Sequence, residues 1–246
     1  MKRFKERLNH SRFVEISRRG KYLLFEMQHE KERQHQLLVG HLGMTGRMYL
    51  LPLGTPWPKH AAVIFQLAGG QFVFEDTRYF GRLTLDAAVL AWLGPEPVEE
   101  STAPDAFLQA LKRSRQAIKV KLLDQTIVAG VGNIYASEAL FSAKIAPAIA
   151  ANRLTRAQAL RLWQALREVL IRAIRTGSSV PLDFDGASAR DALFYYGSID
   201  GEGSEGERFQ VYDRKGQPCS DCGRLIKRIV QSARSTFYCP GCQRRR

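Results

Sequence analysis

Ala129-Gly130-Val131-Gly132-Asn133-Ile134-Tyr135-Ala136-Ser137-Glu138 is the stretch on which the reading of this chain turns. A Gly-x-Gly turn stands between an apolar run and a helical pattern, a setting in which backbone N–H groups approach a phosphate closely. It is not a dinucleotide fingerprint, because the third glycine is missing and no βαβ unit surrounds it. Taken alone, the turn suits a phosphate cradle and a packing turn between helices equally well.

On both sides the pattern is helical, from Asp105 to Gly177. The clearest helix starts at Thr155 as N-cap, carries Leu160, Trp163, Leu166, Leu170 and Ile174 on one face, and stops at Gly177. Arg156, Arg161, Arg167, Arg172 and Arg175 cover its remainder, a pattern that reads more as a solvated face than as a DNA surface. Upstream, the Pro/Glu-rich Gly94–Glu100 marks a boundary. Before it the chain is strand-rich, with β-branched and aromatic residues in Arg12–Met27, two apolar runs in His35–Pro52, and a hairpin in Ala62–Glu75 turning at Gly69-Gly70. Downstream, 178–208 is rich in Gly, Ser, Asp and Glu and reads as a mobile loop or linker. This predicts three domains: 1–93, 94–208 and 209–246.

All four cysteines fall at the C-terminal end: Cys219, Cys222, Cys239 and Cys242, spaced C-x2-C-x16-C-x2-C. Two such knuckles complete a tetrahedron around one zinc ion. The alternative, two disulfides, belongs to secreted chains. Four protein ligands leave no open position, so the zinc is expected to be structural, and so short a finger is expected to fold only around its ion.

The 246 residues carry 37 Lys and Arg against 24 Asp and Glu, a net charge of +13, and 45% are hydrophobic. That composition is globular and not disordered. The excess charge points to a polyanionic partner, without separating DNA from RNA or from an anionic membrane surface. No apolar run approaches the roughly 18 residues of a bilayer span, and no apolar core follows the basic start as in a secretory signal.

The run Gly130–Glu138 resembles the helix–two-turn–helix signature of the formamidopyrimidine-DNA glycosylase and endonuclease VIII family. Further segments resemble that family in the same order: Arg18–Leu24, His41–Gly46, Asp76–Gly81, Leu93–Pro97 and Val211–Gly216, then the cysteine finger with Arg234–Cys239. The resemblance implies a multi-domain α+β fold: a truncated N-terminal β-sandwich, a helical helix–two-turn–helix domain and a C-terminal β-hairpin zinc finger. It implies excision of oxidised purines and abasic-site lyase activity on damaged double-stranded DNA, by a monomer that works inside the cell with the DNA and without a membrane.

By position, the resemblance gives Asn133 and Lys119 phosphate contacts beside the lesion. Lys21 would bind the lesion phosphate and assist β-elimination. Arg234 would bind the same region and donate a proton in δ-elimination. His60 and Arg78 match DNA contacts, and Met44, Arg78 and Phe80 match the trio that fills the gap left by an extruded nucleotide. The types suit the task, since an apolar wedge with a cation replaces part of the stacking lost on opening a duplex.

Two departures from the family stand out. Its nucleophile is a proline directly after the initiator methionine, followed by glutamate, whereas here Lys2 and Arg3 follow Met1, and the first matched motif arrives some 35 to 40 residues early. Either the native start lies upstream, or the chain is a short form that binds lesions with impaired catalysis. In addition, 183–208 is a longer and more acidic loop before the finger. Met44 with Phe80 points to the oxidised-purine branch, and the altered loop bears on that choice.

Overall fold

The computed structural model describes residues 2–30, 34–178 and 209–244. The stretch read as a loop or linker, including 183–208, lies outside the described residues apart from Ser178. The chain forms two compact units, the first ending at Ala91 and the second starting at Trp92 and taking in the C-terminal finger.

In the first unit, a helix α1 (Lys2–Leu8) precedes seven strands: β1 (Ser11–Arg19), β2 (Tyr22–His29), β3 (His35–His41), β4 (Gly46–Leu51), β5 (Ala61–Leu67), β6 (Gly70–Asp76) and β7 (Arg82–Thr84). They form two antiparallel sheets, ordered β1-β2-β3-β7 and β4-β6-β5. Strand alternation sends Phe25 and Met27 inward and Glu26 outward. The two sheets meet through aromatic edges, with Phe13 against Phe65 at 5.8 Å and Phe25 against Phe72 at 5.6 Å between ring centroids, a contact geometry that adds to simple burial. The expected hairpin is present, but its turn is Ala68-Gly69, because Gly70 already pairs with Leu67. A Cβ on Gly70 would stand 2.7 Å from the Leu51 carbonyl oxygen, so this glycine serves close strand approach.

The second unit contains α2 (Asp105–Lys112), α3 (Ile118–Lys121), α4 (Asn133–Ser142) and α5 (Arg156–Ser178), then the hairpin β8 (Lys227–Gln231) and β9 (Arg234–Tyr238). Helix α4 lies buried from Ala136 to Phe141, with Ser137 and Glu138 among the buried residues. Thr155 and Gln158 form a reciprocal capping box, each side chain accepting from the other's backbone N–H. The buried stripe of α5 is shifted from the sequence expectation. Trp163, Leu166 and Leu170 are buried, alongside Leu162 and Val169, whereas Leu160 and Ile174 are exposed. The stripe follows 3.6-residue drift over six turns, and the two end residues fall off its edge. Two arginines of the polar face are tethers: Arg161 donates to the Ala143 carbonyl and Arg167 to the Pro97 and Glu99 carbonyls.

Candidate nucleic-acid interface

In the first unit, four chain segments meet at one end of the sandwich, around Lys21, residues 41–45, His60 and residues 76–82. Gly20, at φ +58°, lets β1 turn into β2 and leaves Lys21 exposed on the turn. The next residue, Tyr22, pairs with His41, and His41 pairs with Arg82. Burial, then the charges of Lys21 and Arg82, hold the His41 imidazole below its ordinary pKa, so the ring is neutral at pH 7. Its Nδ1 accepts the Gly43 N–H at 3.0 Å, which assigns the ring proton to Nε2. Sequence reading passed over His41 inside its motif; only strand register places it beside Lys21.

Asp76, at the end of β6, organises the two neighbouring loops. Its carboxylate accepts the Thr45 hydroxyl at 2.6 Å and the backbone N–H groups of Arg78 and Gly81 at 3.2 and 2.7 Å. Burial pushes this carboxyl up, but those hydrogen bonds outweigh it and hold the group below the usual range. The loops touch so closely that a Cβ on Gly43, at φ +69°, would lie 2.7 Å from the Gly81 nitrogen. This brace presents Met44 at 64% exposure and Phe80 at 56%. The Arg78 guanidinium lies 4.8 Å from the Phe80 ring centre. Large apolar side chains held in water by a rigid frame are the kind of wedge that unstacking requires. His60 stands beside this frame: its carbonyl accepts the Asp76 N–H, and the adjacent residue on β6, Glu75, is bound by Tyr49 and Arg47.

In the second unit, the connector between α3 and α4 is fixed from inside. Gln125 accepts the Gly130 N–H and donates to the Leu123 and Val131 carbonyls, while Gly130 takes φ +87°. Asn133 thereby opens α4, where free backbone N–H groups favour an anion. Its Oδ1 accepts the Lys119 ammonium at 2.6 Å, and its Nδ2 donates to the Ser235 carbonyl at 3.0 Å. Lys119 is 1% exposed. Burial, then the charge of Arg234, lowers its pKa to about 8. Arg234 itself is exposed, at the start of β9 beside a two-residue turn in which Ser232 and Ala233 both take positive φ. Non-glycine residues rarely hold that conformation, and such strain concentrates at functional sites. Lys119, Asn133 and Arg234 thus form one cationic cluster.

The finger is locked to α4. Glu138 accepts the backbone N–H groups of Gln210, Val211 and Tyr212 at 2.7 to 2.9 Å, and Lys144 pairs with Asp221. The sulfurs of Cys219, Cys222, Cys239 and Cys242 all lie within 4.8 Å of one another, and the thiols are not disulfide-bonded. A tetrahedron with metal–sulfur bonds near 2.3 Å needs sulfur separations of about 3.8 Å. The Cys219–Cys242 and Cys222–Cys239 pairs stand at 3.9 and 3.4 Å, so the set fits one zinc ion and leaves no coordination position open.

Comparison with known proteins completes the assignment. Three family models match: the formamidopyrimidine-DNA glycosylase N-terminal domain over residues 1–83, its H2TH domain over 93–183, and the zinc finger found in FPG and IleRS over 216–245. The formamidopyrimidine-DNA glycosylase of Desulfitobacterium hafniense is 40% identical over 98% of this chain and 85% of its own length. That of Thermus thermophilus is 42% identical over 94% and 82%. The chain belongs to the formamidopyrimidine-DNA glycosylase family. A solved Lactococcus lactis Fpg in complex with abasic-site DNA superposes with a TM-score of 0.82 at 34% identity, covering 99% of this chain and 86% of that one. In this chain a β domain, an H2TH domain and a cysteine finger follow one another. The structure gathers Lys21, Met44, His60, Arg78 and Phe80 in the first unit and Lys119, Asn133 and Arg234 in the second.

Proposed function

We propose that this chain acts in DNA base-excision repair, binding damaged double-stranded DNA as a monomer, excising oxidised purines and cleaving the resulting abasic site. The convergence of Lys119, Asn133 and Arg234 carries the reading, since a buried ammonium that has no carboxylate partner among the described residues suits an anionic ligand. In this reading the three hold the phosphates beside the lesion. Met44, Arg78 and Phe80 enter the stack, and the side chain of Arg78 reaches the orphaned base. His60 touches the backbone nearby. Lys21 binds the lesion phosphate next to neutral His41 and assists β-elimination, while Arg234 donates the proton in δ-elimination, as the family resemblance implies. Zinc, bound by the four cysteines, supplies only the rigidity that fixes the hairpin. The divisions 1–93, 94–208 and 209–246 are the proposed wedge, phosphate-gripping and finger domains. Work on chromosomal DNA places the protein inside the cell, and none of the described helices is long and apolar enough to cross a membrane.

The test is incubation with duplexes holding 8-oxoguanine or an abasic site, beside an undamaged control. Strand cleavage restricted to the damaged duplexes supports the reading. Tight binding to the abasic duplex with no cleavage and no borohydride-trapped adduct would leave a lesion-binding protein instead. That alternative is not favoured, because the relatives at about 40% identity are named as glycosylases.

A further inference from the structure

On the second unit, an open hollow of about 740 Å³ is lined by Arg115, Arg153, Asn152 and Gln158 over a floor of Ala148 to Ala150. Among the described residues, no acidic side chain lines it. Arg115 and Arg153 are exposed and have no ion-pair or hydrogen-bond partner among the described residues. The polar wall is already committed in part: Gln158 closes the capping box with Thr155, and the Asn152 N–H donates to the Ser114 carbonyl. The two arginine side chains are the charged donors of the hollow.

Its position is fixed relative to the cationic cluster. Residues 114–119 run antiparallel to 147–152, through Asn152 N–H to the Ser114 carbonyl, Ala151 to Gln116, Ile118 to Ile149 and Lys119 to Pro147. The Pro147 carbonyl also accepts the Gln231 amide of the hairpin. One end of this ladder lies under Lys119 and the hairpin; the other opens into the hollow. Four residues separate Arg115 from Lys119, a reach of at most about 14 Å, or roughly four nucleotide steps at about 3.4 Å of rise each.

We infer that the Arg115–Arg153 hollow is a second phosphate-binding site, which grips the backbone of duplex DNA a few nucleotides away from the lesion. The guanidinium fork matches phosphate oxygens in pairs, and an anion between the two arginines relieves their mutual repulsion. The inference rests on the DNA-repair reading above and extends its footprint to one flank. Contacts of this kind add affinity and register without adding base or lesion preference.

The test measures anisotropy of labelled duplexes, with an abasic-site analogue or undamaged, between about 50 and 200 mM KCl. Against wild type, Arg115→Gln/Arg153→Gln is expected to reduce the slope of log K against log salt by about 1.8, so that the loss of affinity for both duplexes is about tenfold greater at about 50 than at about 200 mM. The ratio between damaged and undamaged duplex stays as in wild type. Arg115→Lys/Arg153→Lys restores the slope, and Arg153→Gln alone gives about half the loss. An unchanged slope in a double variant that melts like wild type overturns the inference. So does saturable binding of inorganic phosphate that the double variant loses while its DNA slope is unchanged, since the hollow would then serve a free anion. A wild-type protein with no preference for damaged duplex overturns the repair reading instead, and the slope comparison still reports on the hollow.

Discussion

The Lys119 ammonium, 1% exposed, donates its 2.6 Å hydrogen bond to an uncharged acceptor, Asn133 Oδ1, and faces the positive charge of Arg234. A buried charge without a countercharge is costly. On the proposed reading, an incoming phosphate offsets that cost. The pair therefore ties the stability of the free protein and its grip on DNA to a single proton.

The sign of the resulting pH dependence follows from the direction of the shift. The Lys119 pKa lies at about 8, below the ordinary 10.5, so between those values the unfolded chain binds more protons than the folded one. Stability is expected to rise as pH climbs through that window, by on the order of 3 kcal/mol in total. DNA affinity runs the other way, falling above about pH 8 by up to tenfold per unit as the ammonium deprotonates. Lys119→Met should remove both trends and weaken binding at pH 7, without lowering the melting temperature. Titration calorimetry in buffers of different ionisation enthalpy checks the proton uptake directly.

Asn133 joins α4 to the hairpin, accepting from Lys119 and donating to the Ser235 carbonyl. Asn133→Ala is expected to cost about 2 to 3 kcal/mol of stability for the two lost hydrogen bonds, one of them to a buried ammonium. It should reduce affinity for an abasic duplex by tenfold or more, because both Lys119 and the Arg234 turn lose their orientation. A melting shift corresponding to several kcal/mol with unaltered binding would make Asn133 a packing residue only.

The order of the regions and the zinc ligands were legible because each is local, as in the C-x-x-C spacing; Lys119, Asn133 and Arg234 came from the resemblance to the family, since the Gly-x-Gly turn alone suits a packing turn equally well. What escaped depends on register. His41 enters the site only because Tyr22 pairs with it and brings Lys21 alongside, and no local pattern encodes that pairing. Asp76, read only as the first letter of a motif, proves to be the brace of two loops, since its acceptors point at N–H groups separated by a turn. The exposed ends of the α5 stripe, Leu160 and Ile174, were misplaced because an idealised face drifts along a long helix. Arg161 and Arg167 find backbone carbonyls distant in sequence, which composition could not announce.

The wedge and its frame separate cleanly by mutation. Met44 and Phe80 are exposed, so Met44→Ala and Phe80→Ala should change stability by no more than about 0.5 kcal/mol, while preference for damaged over intact duplex falls about tenfold with the lost substitute stacking. Asp76→Ala should do both, destabilising by about 2 to 4 kcal/mol because Thr45 and two backbone N–H groups lose their acceptor. The acid limb follows the same brace. The Asp76 carboxyl sits below its ordinary pKa, so its contribution is complete above that ordinary value and is lost as pH falls through the lower, folded one. Parallel melting and competition binding on the three variants test the division.

The cysteine finger should behave as a switchable support for Arg234. The hairpin packs on α4 through Phe237 and Phe141 in one small core that also includes Cys219 and Cys239, so loss of the ion removes the element that positions the arginine while the large helical core of α2 to α5 remains. Cys239→Ser, or prolonged chelation, is expected to release one zinc per chain, lower the melting temperature of the finger and abolish preferential binding to abasic duplex. Far-ultraviolet helical signal should persist, because the helices draw their stability from their own buried contacts. Zinc release by a colorimetric chelator, measured with circular dichroism and anisotropy on the same sample, checks the sequence of events. Retention of zinc at wild-type stoichiometry in Cys239→Ser would refute the four-cysteine site, and preserved lesion binding in the zinc-free protein would detach Arg234 from the grip on DNA.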